Sequence, residues 1–134
     1  MVSRRWGGPR VGLFADPGSG DRDLLGQAGA PALVVDHHLP QGGVPGNVLE
    51  LNAHKAGVDG NREASAASLA FALALTLDET NRDLAPVALA GAWGDRMYLD
   101  GLTGWNRTIA DMAVKDKYLN KTSRLPLTGE TLAE

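Results

Sequence analysis

Apolar residues in the first half of the chain are concentrated in three short runs separated by polar, glycine-rich and proline-rich stretches. These runs lie at residues 11–15, 32–35 and 47–52, and their length is typical of β-strands. The first two runs are continuous and contain no polar alternation, which predicts buried strands, as in a parallel sheet. A short helix is predicted at residues 21–28, so the order strand, helix, strand indicates a right-handed βαβ crossover.

The second half of the chain is predicted to be helical. Its first segment is rich in alanine and leucine and apolar on nearly all sides, which predicts a buried helix. Asn81-Arg82-Asp83 is typical of a helix start, and Pro86 is tolerated in a first turn. The predicted helices cover residues 63–77, residues 81 to 91 or 94, and residues 105–116, with strand or loop from residue 119. The elements together predict an α/β fold, a partial three-layer parallel sheet flanked by helices with a helical second half.

Composition narrows the choice of partners and compartment. The 134 residues suffice for one small domain, and the formal net charge of −3 gives no electrostatic footprint for nucleic acid. Contact with nucleic acid would therefore have to be local or arranged through a metal ion. The chain has no cysteine, which excludes disulfides and thiolate metal sites and suits a reducing compartment. No signal-peptide pattern is present and the apolar run at residues 64–77 is too short for a bilayer, so we expect a cytoplasmic protein without a membrane partner.

Candidate chemistry follows the ends of the first two predicted strands. Asp36-His37-His38 comes directly after the second strand, and Asp16 occupies the same relative place after the first. In open α/β sheets, ligands bind beyond the carboxyl ends of the strands, so these side chains are expected on one rim. Carboxylate and imidazole donors suit manganese, zinc or iron, and carboxylates alone suit magnesium. The sequence thus predicts a metal site at this rim.

A structural explanation remains open for each candidate taken alone. An aspartate that follows a strand, such as Asp16, is usually a turn residue or a helix cap. Asp95, between Gly94 and Arg96, has the same ambiguity, although the flanking glycine would let the backbone turn its carboxylate toward the rim. His54 lies in the loop after the third strand, and the sequence alone does not decide its role. Two adjacent histidines preceded by an aspartate at a strand end favour a site over a solvated loop.

Taken in order, these motifs resemble the DHH phosphoesterase superfamily, which includes RecJ-type exonucleases, family II pyrophosphatases and small-oligonucleotide phosphodiesterases. Within it, the chain is most similar to archaeal RecJ-like single-strand exonucleases, including the GINS-associated nuclease. The resemblance covers about residues 11–129 of the single domain assigned to residues 1–134. The resembling stretches are Phe14-Ala15-Asp16-Pro17-Gly18-Ser19-Gly20, Val34-Val35-Asp36-His37-His38-Leu39-Pro40, Gly57-Val58-Asp59-Gly60, residues 81–96 and residues 102–107.

The resemblance implies a metal-dependent hydrolase that cleaves phosphodiesters of single-stranded nucleic acid in DNA repair or replication. Two divalent ions, commonly manganese with magnesium as the alternative, activate a water in this family. By motif, Asp16 resembles the carboxylate that bridges the metals, His37 a direct ligand and Asp95 the last carboxylate ligand. Asp36 would orient His37 without touching the metal itself, and His38 would contact the substrate phosphate.

The chain also departs from the family pattern. The first family motif, an Asp-x-Asp, should lie well upstream of Asp16, but only ten residues precede the first strand. Asp21-Arg22-Asp23 follows Asp16 and cannot replace it, and the C-terminal domain that grips substrate is missing. We therefore expect a partial DHH domain with an open sheet edge that binds one divalent ion weakly and has little nuclease activity.

Two other functions remain open at this point. One is a non-catalytic replisome scaffold that binds GINS-like replication proteins, which the loss of the first motif favours. The other is a different DHH hydrolase that acts on pyrophosphate or short oligonucleotides. The segment from Asn81 to Pro86 favours the RecJ-like branch over that second alternative.

Overall fold

A computed structural model describes residues 10–17 and 21–120 of the chain. Gly18-Ser19-Gly20, part of the first resembling stretch, lies outside these residues, as does the strand or loop predicted beyond residue 120. Within them, residues 116–120 form turns and loop after the last helix.

The first half of the chain forms a three-stranded parallel sheet. Its strands are β1 (Gly12–Ala15), β2 (Ala32–Asp36) and β3 (Val48–Asn52), in the order β1-β2-β3. The predicted strands and the α/β class are therefore confirmed. The register pairs Ala15 with Val35 and Asp36 with Asn52, so the carboxyl ends of all three strands lie at the same edge.

Burial differs between the two strands that were both predicted to be buried. In β2, Val34 and Val35 are fully buried, as predicted. In β1 the prediction is wrong, because Leu13 is 63% exposed and Phe14 is 38% exposed. The physical reason is position: β1 is an edge strand of the described sheet, with one neighbour only, whereas β2 lies between two strands. The expected open edge is thus present among the described residues.

Helices pack on both faces of the sheet and give a three-layer arrangement. Leu25 of α1 (Arg22–Gln27) packs against a cluster that contains Val34 of β2. Leu69 of α2 (Ala66–Leu77) packs against a cluster that contains the next residue, Val35. Since successive side chains of a strand point to opposite faces, α1 and α2 cover opposite faces of the sheet.

The helix α2 begins three residues later than predicted. Ser65 is its N-cap, and its Oγ accepts a hydrogen bond of 3.1 Å from the Ser68 backbone N–H. Residues before it are held in a separate turn, in which the N–H of Glu63 donates to the carbonyl of Asp59 at 2.7 Å. The hydroxyl cap satisfies a backbone donor that would otherwise be unpaired at the helix start.

The predicted helix start at Asn81 is also corrected by the structure. A 3-10 helix occupies Glu79–Leu84, and the α-helix α3 (Ala85–Gly94) begins after it, with Pro86 in its first turn. Asp78 caps the 3-10 helix, since its Oδ1 accepts a hydrogen bond of 2.8 Å from the Thr80 N–H. The last helix, α4 (Gly104–Lys115), agrees with the prediction to within one residue at each end.

The helical half packs through small residues and a buried polar chain. A Cβ on Gly91 of α3 would lie 2.3 Å from the Cβ of Ala67, so glycine is needed where α3 meets α2. The Ser68 hydroxyl donates to Oδ1 of Asn106 in α4, and the Asn106 amide contacts Sδ of Met97 at 3.1 Å. All three residues are buried. These contacts between buried side chains hold the turn that follows α3 against the start of α2.

None of the helices in the described part of the chain combines the length and the apolar composition that a membrane span requires.

Candidate metal centre

The carboxyl ends of β1 and β2 and the end of α3 bring four candidate side chains together. The Nε2 atom of His37 lies 3.3 Å from Oδ1 of Asp16 and 3.7 Å from Oδ2 of Asp95. Nδ1 of His38 lies 3.6 Å from the same Asp16 oxygen. Donor atoms of Asp16, His37 and His38 lie within 4.8 Å of one another, close enough for one metal ion to contact them. Residues far apart in the sequence therefore share one site.

The proton on the His37 ring is fixed by its hydrogen bond. Nδ1 of His37 lies 2.6 Å from the carbonyl oxygen of Gly60. A carbonyl can only accept, so Nδ1 carries a proton, and in the neutral ring Nε2 then keeps its lone pair. That lone pair faces Asp16 and Asp95. The arrangement is the one that metal-ligating histidines adopt, with the far nitrogen bonded to a carbonyl and the near nitrogen free for the metal.

Asp36 lies fully buried under the two histidines and holds the backbone of both. Its Oδ1 accepts hydrogen bonds from the backbone N–H of His37 at 2.8 Å and of His38 at 3.2 Å. It also accepts from Nδ1 of the His38 ring at 2.7 Å. Asp36 thus orients His37 through its backbone only. The partner of the His37 ring is the Gly60 carbonyl, which the sequence did not indicate.

The same contacts shift the titration of His38. The hydrogen bond from its ring to the Asp36 carboxylate raises the pKa of His38 above 6.5, and the nearby negative charges of Asp16 and Asp95 raise it further. Partial burial opposes this shift because it disfavours the charged ring. His38 is half-exposed, with 51% of its side chain accessible, so the ring can reach a bound molecule.

The positions of Asp16 and Asp95 are set by the backbone: Asp16 has a left-handed conformation, and Asp95 ends the helix α3. Asp16 has a positive φ of 62°, uncommon for a residue with a side chain, and its N–H donates to the Val35 carbonyl at 2.9 Å. Asp95 is the C-cap of α3, and its N–H donates to the Gly91 carbonyl at 3.1 Å. Backbone strain of this kind is typical of functional sites, where surrounding contacts hold it in place. Asp16 is therefore a turn residue whose carboxylate also faces His37.

The electrostatics of the cluster fit a cation. Three carboxylates, those of Asp16, Asp36 and Asp95, lie around His37, and like charges at such distances repel one another without a counter-charge. Oδ2 of Asp36 is buried and accepts no hydrogen bond from any residue that the structure describes. Orphaned buried oxygens are rare and are commonly satisfied by an ion or a water. The donor set and the charge both suit a divalent metal.

His54 does not join this donor cluster. It begins a short 3-10 turn, His54–Ala56, and its backbone N–H donates to Oδ1 of Asn52 at 2.9 Å. Its Nε2 is buried and makes no hydrogen bond with the described residues. A Cβ on Gly60 would lie 2.8 Å from that nitrogen. His54 therefore packs behind the site, next to the segment that holds His37.

Asn52 is a second residue that the sequence analysis missed. It is buried at the end of β3, and its Nδ2 donates to the His38 carbonyl at 3.0 Å while its Oδ1 accepts from the His54 N–H. Its side chain therefore ties the two-histidine turn to the segment after β3. The only sequence signal was its place: a polar residue that ends an apolar strand beside the strand ending in Asp36.

Replacing Asn52 by alanine is expected to lower the free energy of unfolding by about 1–3 kcal/mol. The physical reason is that the partly buried His38 carbonyl and His54 N–H lose their shared partner, the buried Asn52 side chain. Chemical denaturation of the metal-free chain measures the effect. Asn120→Ala, at an exposed position, is the matched control and is expected to change it by about 0.5 kcal/mol or less. Equal stabilities for the two variants would contradict the bridging role.

Comparison with known proteins adds one relative. The chain is 33% identical over 110 residues to the uncharacterized protein MJ0831 of Methanocaldococcus jannaschii. The match covers 80% of this chain but only 25% of the relative, so the chain spans about a quarter of the length of the curated protein it matches. No protein-family model matches the chain.

Proposed function

We propose that this chain carries a divalent-metal site of a DHH-type phosphoesterase, with Asp16, His37 and Asp95 as the metal ligands. One observation carries the proposal: the His37 ring is locked on the Gly60 carbonyl with its free Nε2 directed at two carboxylates. A histidine that served only to fill the core would not need two carboxylate neighbours at its free nitrogen. The resemblance of the flanking motifs to DHH proteins supports the same conclusion.

The residues fit manganese better than magnesium. One imidazole nitrogen and two carboxylate oxygens form a mixed donor set that suits manganese, whereas magnesium prefers oxygen donors throughout. Such an ion would lower the pKa of a bound water and neutralise charge that develops on a phosphate. Gly60 orients the ligand ring from behind, and Asp36 holds the backbone that carries it.

We assign substrate contact to His38. Its Nδ1 donates to Asp36, so this nitrogen is not free to bind a metal. The half-exposed ring has a raised pKa, which favours the positive form and hence contact with a phosphate oxygen. The proposed reaction is hydrolysis of a phosphodiester in single-stranded nucleic acid, in DNA repair or replication. The similarity to RecJ-like segments supports this choice of substrate.

Ligand counting limits what the isolated chain can do. Two-metal hydrolysis needs two ions held about 3.5–4 Å apart, each with its own ligands. The described residues bring together ligands for one ion, Asp16, His37 and Asp95, and leave little beyond Asp16 for a second. We therefore propose that the chain binds one manganese ion and needs further carboxylates for efficient catalysis.

Manganese titration of the purified chain tests this function. We expect one ion to bind per chain, detected by the loss of the free-ion electron paramagnetic resonance signal, and no robust cleavage of single-stranded DNA. Asp16→Asn removes a charged ligand and is expected to weaken binding by about tenfold or more. Asp83→Asn changes the charge equally at an exposed position and is the control. Equal affinities of the two variants would refute the assignment, and robust cleavage by the chain alone would refute the one-ion limit.

A further inference from the structure

A small cavity lies between the turn that precedes α2 and the loop that joins α3 to α4. Its volume is about 220 Å³, and its walls include Asn61, Arg62, Arg96, Asp100 and Thr103. Two of these wall residues directly follow, in the sequence, a residue that forms or orients the centre. Asn61 follows Gly60, whose carbonyl holds the His37 ring, and Arg96 follows Asp95. A ligand at the metal centre would therefore lie next to this cavity.

The two arginines of the cavity differ in their charge environment. Arg62 forms an ion pair of 3.1 Å with Asp100, which neutralises it. The Arg96 guanidinium forms no ion pair or hydrogen bond with any residue in the described ranges 10–17 and 21–120. A positive charge without a partner among the described residues thus stands on the residue that follows Asp95, in the wall of the cavity.

The backbone supports this placement of Arg96. Its φ is positive, at 58°, and its N–H donates to the Trp93 carbonyl at 3.0 Å. The next residue, Met97, is buried and its N–H donates to the Ala92 carbonyl at 3.1 Å. The turn after α3 therefore anchors Met97 in the core and leaves the Arg96 side chain in the cavity wall. Anchoring on both sides limits how far Arg96 can move from the centre.

We propose that this cavity is an anion subsite in which Arg96 binds a second phosphate of the substrate. The first phosphate would be the one at the metal centre, so this inference rests on the proposed function and names the substrate class more closely. A guanidinium offers several N–H donors in a planar fork that matches two phosphate oxygens. The Asn61 side chain, in the same wall, adds an amide donor within the cavity. The substrate is then one with neighbouring phosphates rather than a simple monoester.

Oligonucleotide binding by three variants tests the subsite. The probe is a fluorescein-labelled single-stranded oligothymidylate, followed by anisotropy in the presence of manganese. Arg96→Ala is expected to weaken binding by about tenfold and to reduce the slope of log affinity against log salt by about one. Arg96→Lys keeps the charge and should recover part of the loss. Arg107→Ala is the matched control, because Arg107 is an exposed arginine of α4 that pairs with Asp111 outside the cavity.

The outcomes separate the subsite from the metal site. If the wild-type chain does not bind the probe, or if Arg96→Ala and Arg107→Ala bind it equally, the subsite is refuted. Manganese titration of Arg96→Ala should match that of the wild type, because Arg96 is not a ligand. A wild-type chain that binds no manganese but shows Arg96-dependent probe binding would refute the metal site and support the subsite.

A calorimetric comparison distinguishes the two sources of paired phosphates. Inorganic pyrophosphate replaces the oligothymidylate as the titrant, with the same three variants. Loss of pyrophosphate affinity in Arg96→Ala would assign the cavity to a diphosphate. An effect confined to the oligothymidylate would assign it to the backbone of a nucleic acid strand. Either result supports an anion subsite at Arg96, and an effect on neither ligand refutes it.

Discussion

Replacing His37 by asparagine is expected to abolish manganese binding at accessible concentrations while the fold is retained. The asparagine Nδ2 can occupy the place of the histidine Nδ1 and keep the hydrogen bond to the Gly60 carbonyl. It offers no atom at the place of Nε2, which faces Asp16 and Asp95. Loss of an outer partner of a metal ligand costs about 10–100-fold in affinity, so loss of the ligand itself should cost at least about 100-fold. Manganese titration measures this loss.

Two further measurements make the His37 result specific. Chemical denaturation of metal-free His37→Asn should give a free energy of unfolding within about 1 kcal/mol of the wild type, because the buried hydrogen bond is kept. His54→Asn makes the same replacement in a histidine outside the donor cluster, and its manganese affinity should stay within a few fold of the wild type. If both variants lose affinity equally, His37 is not a special ligand and the proposed site is wrong.

Replacing Gly60 by alanine is expected to damage both the fold and the site. The added Cβ would lie 1.9 Å from the His37 carbonyl oxygen and 2.8 Å from Nε2 of His54, far inside contact distance. The nearer atom is backbone and cannot rotate away, so the segment after β3 has to shift. Overpacking of this kind costs about 1–3 kcal/mol, and we expect the upper end of that range. The shift also moves the carbonyl that orients the His37 ring, so manganese affinity should fall by about tenfold or more.

Gly46→Ala is the matched control for Gly60→Ala. A Cβ at Gly46 would meet no atom within 4 Å, so this variant should change the free energy of unfolding by about 0.5 kcal/mol or less. Thermal or chemical denaturation and manganese titration of both variants complete the comparison. A Gly60→Ala chain as stable as Gly46→Ala, with wild-type affinity, would show that the close approach of Gly60 to His37 is not needed.

Much of the sheet was predictable because its signal is local. Two continuous apolar runs, and a third run that Glu50 interrupts, are bounded by glycine, proline and polar residues, and this pattern is enough to place β1, β2 and β3. The exposure of β1 was not predictable in the same way. An edge strand and a central strand can carry the same apolar run, and only the order of the strands in the sheet tells them apart.

Helix starts were less predictable because they depend on competing caps. The segment from Asn81 has a plausible cap and a proline at a tolerated position, yet Asn81 lies inside a 3-10 helix that begins at Glu79 and is capped by Asp78. The helix α2 begins after the N-cap Ser65 rather than at Glu63, because the Glu63 N–H is already bonded to the Asp59 carbonyl in a separate turn. Several polar side chains near a helix start can accept hydrogen bonds from its free N–H groups. Local geometry decides which one does so, and a residue pattern does not contain that geometry.

The sequence by itself determined which donor groups end the first two strands, because strand ends and residue types are local properties. Only the tertiary structure decided that Asp95 lies beside them and which nitrogen of His37 is free. The position of Asp95 depends on how α3 packs against α2, and on how α2 packs against the sheet. Which nitrogen is free depends on the Gly60 carbonyl, which a later segment of the chain brings against the ring. When a hydrogen-bond acceptor faces one ring nitrogen, that nitrogen carries the proton. The other nitrogen of the neutral ring is then free to bind a metal.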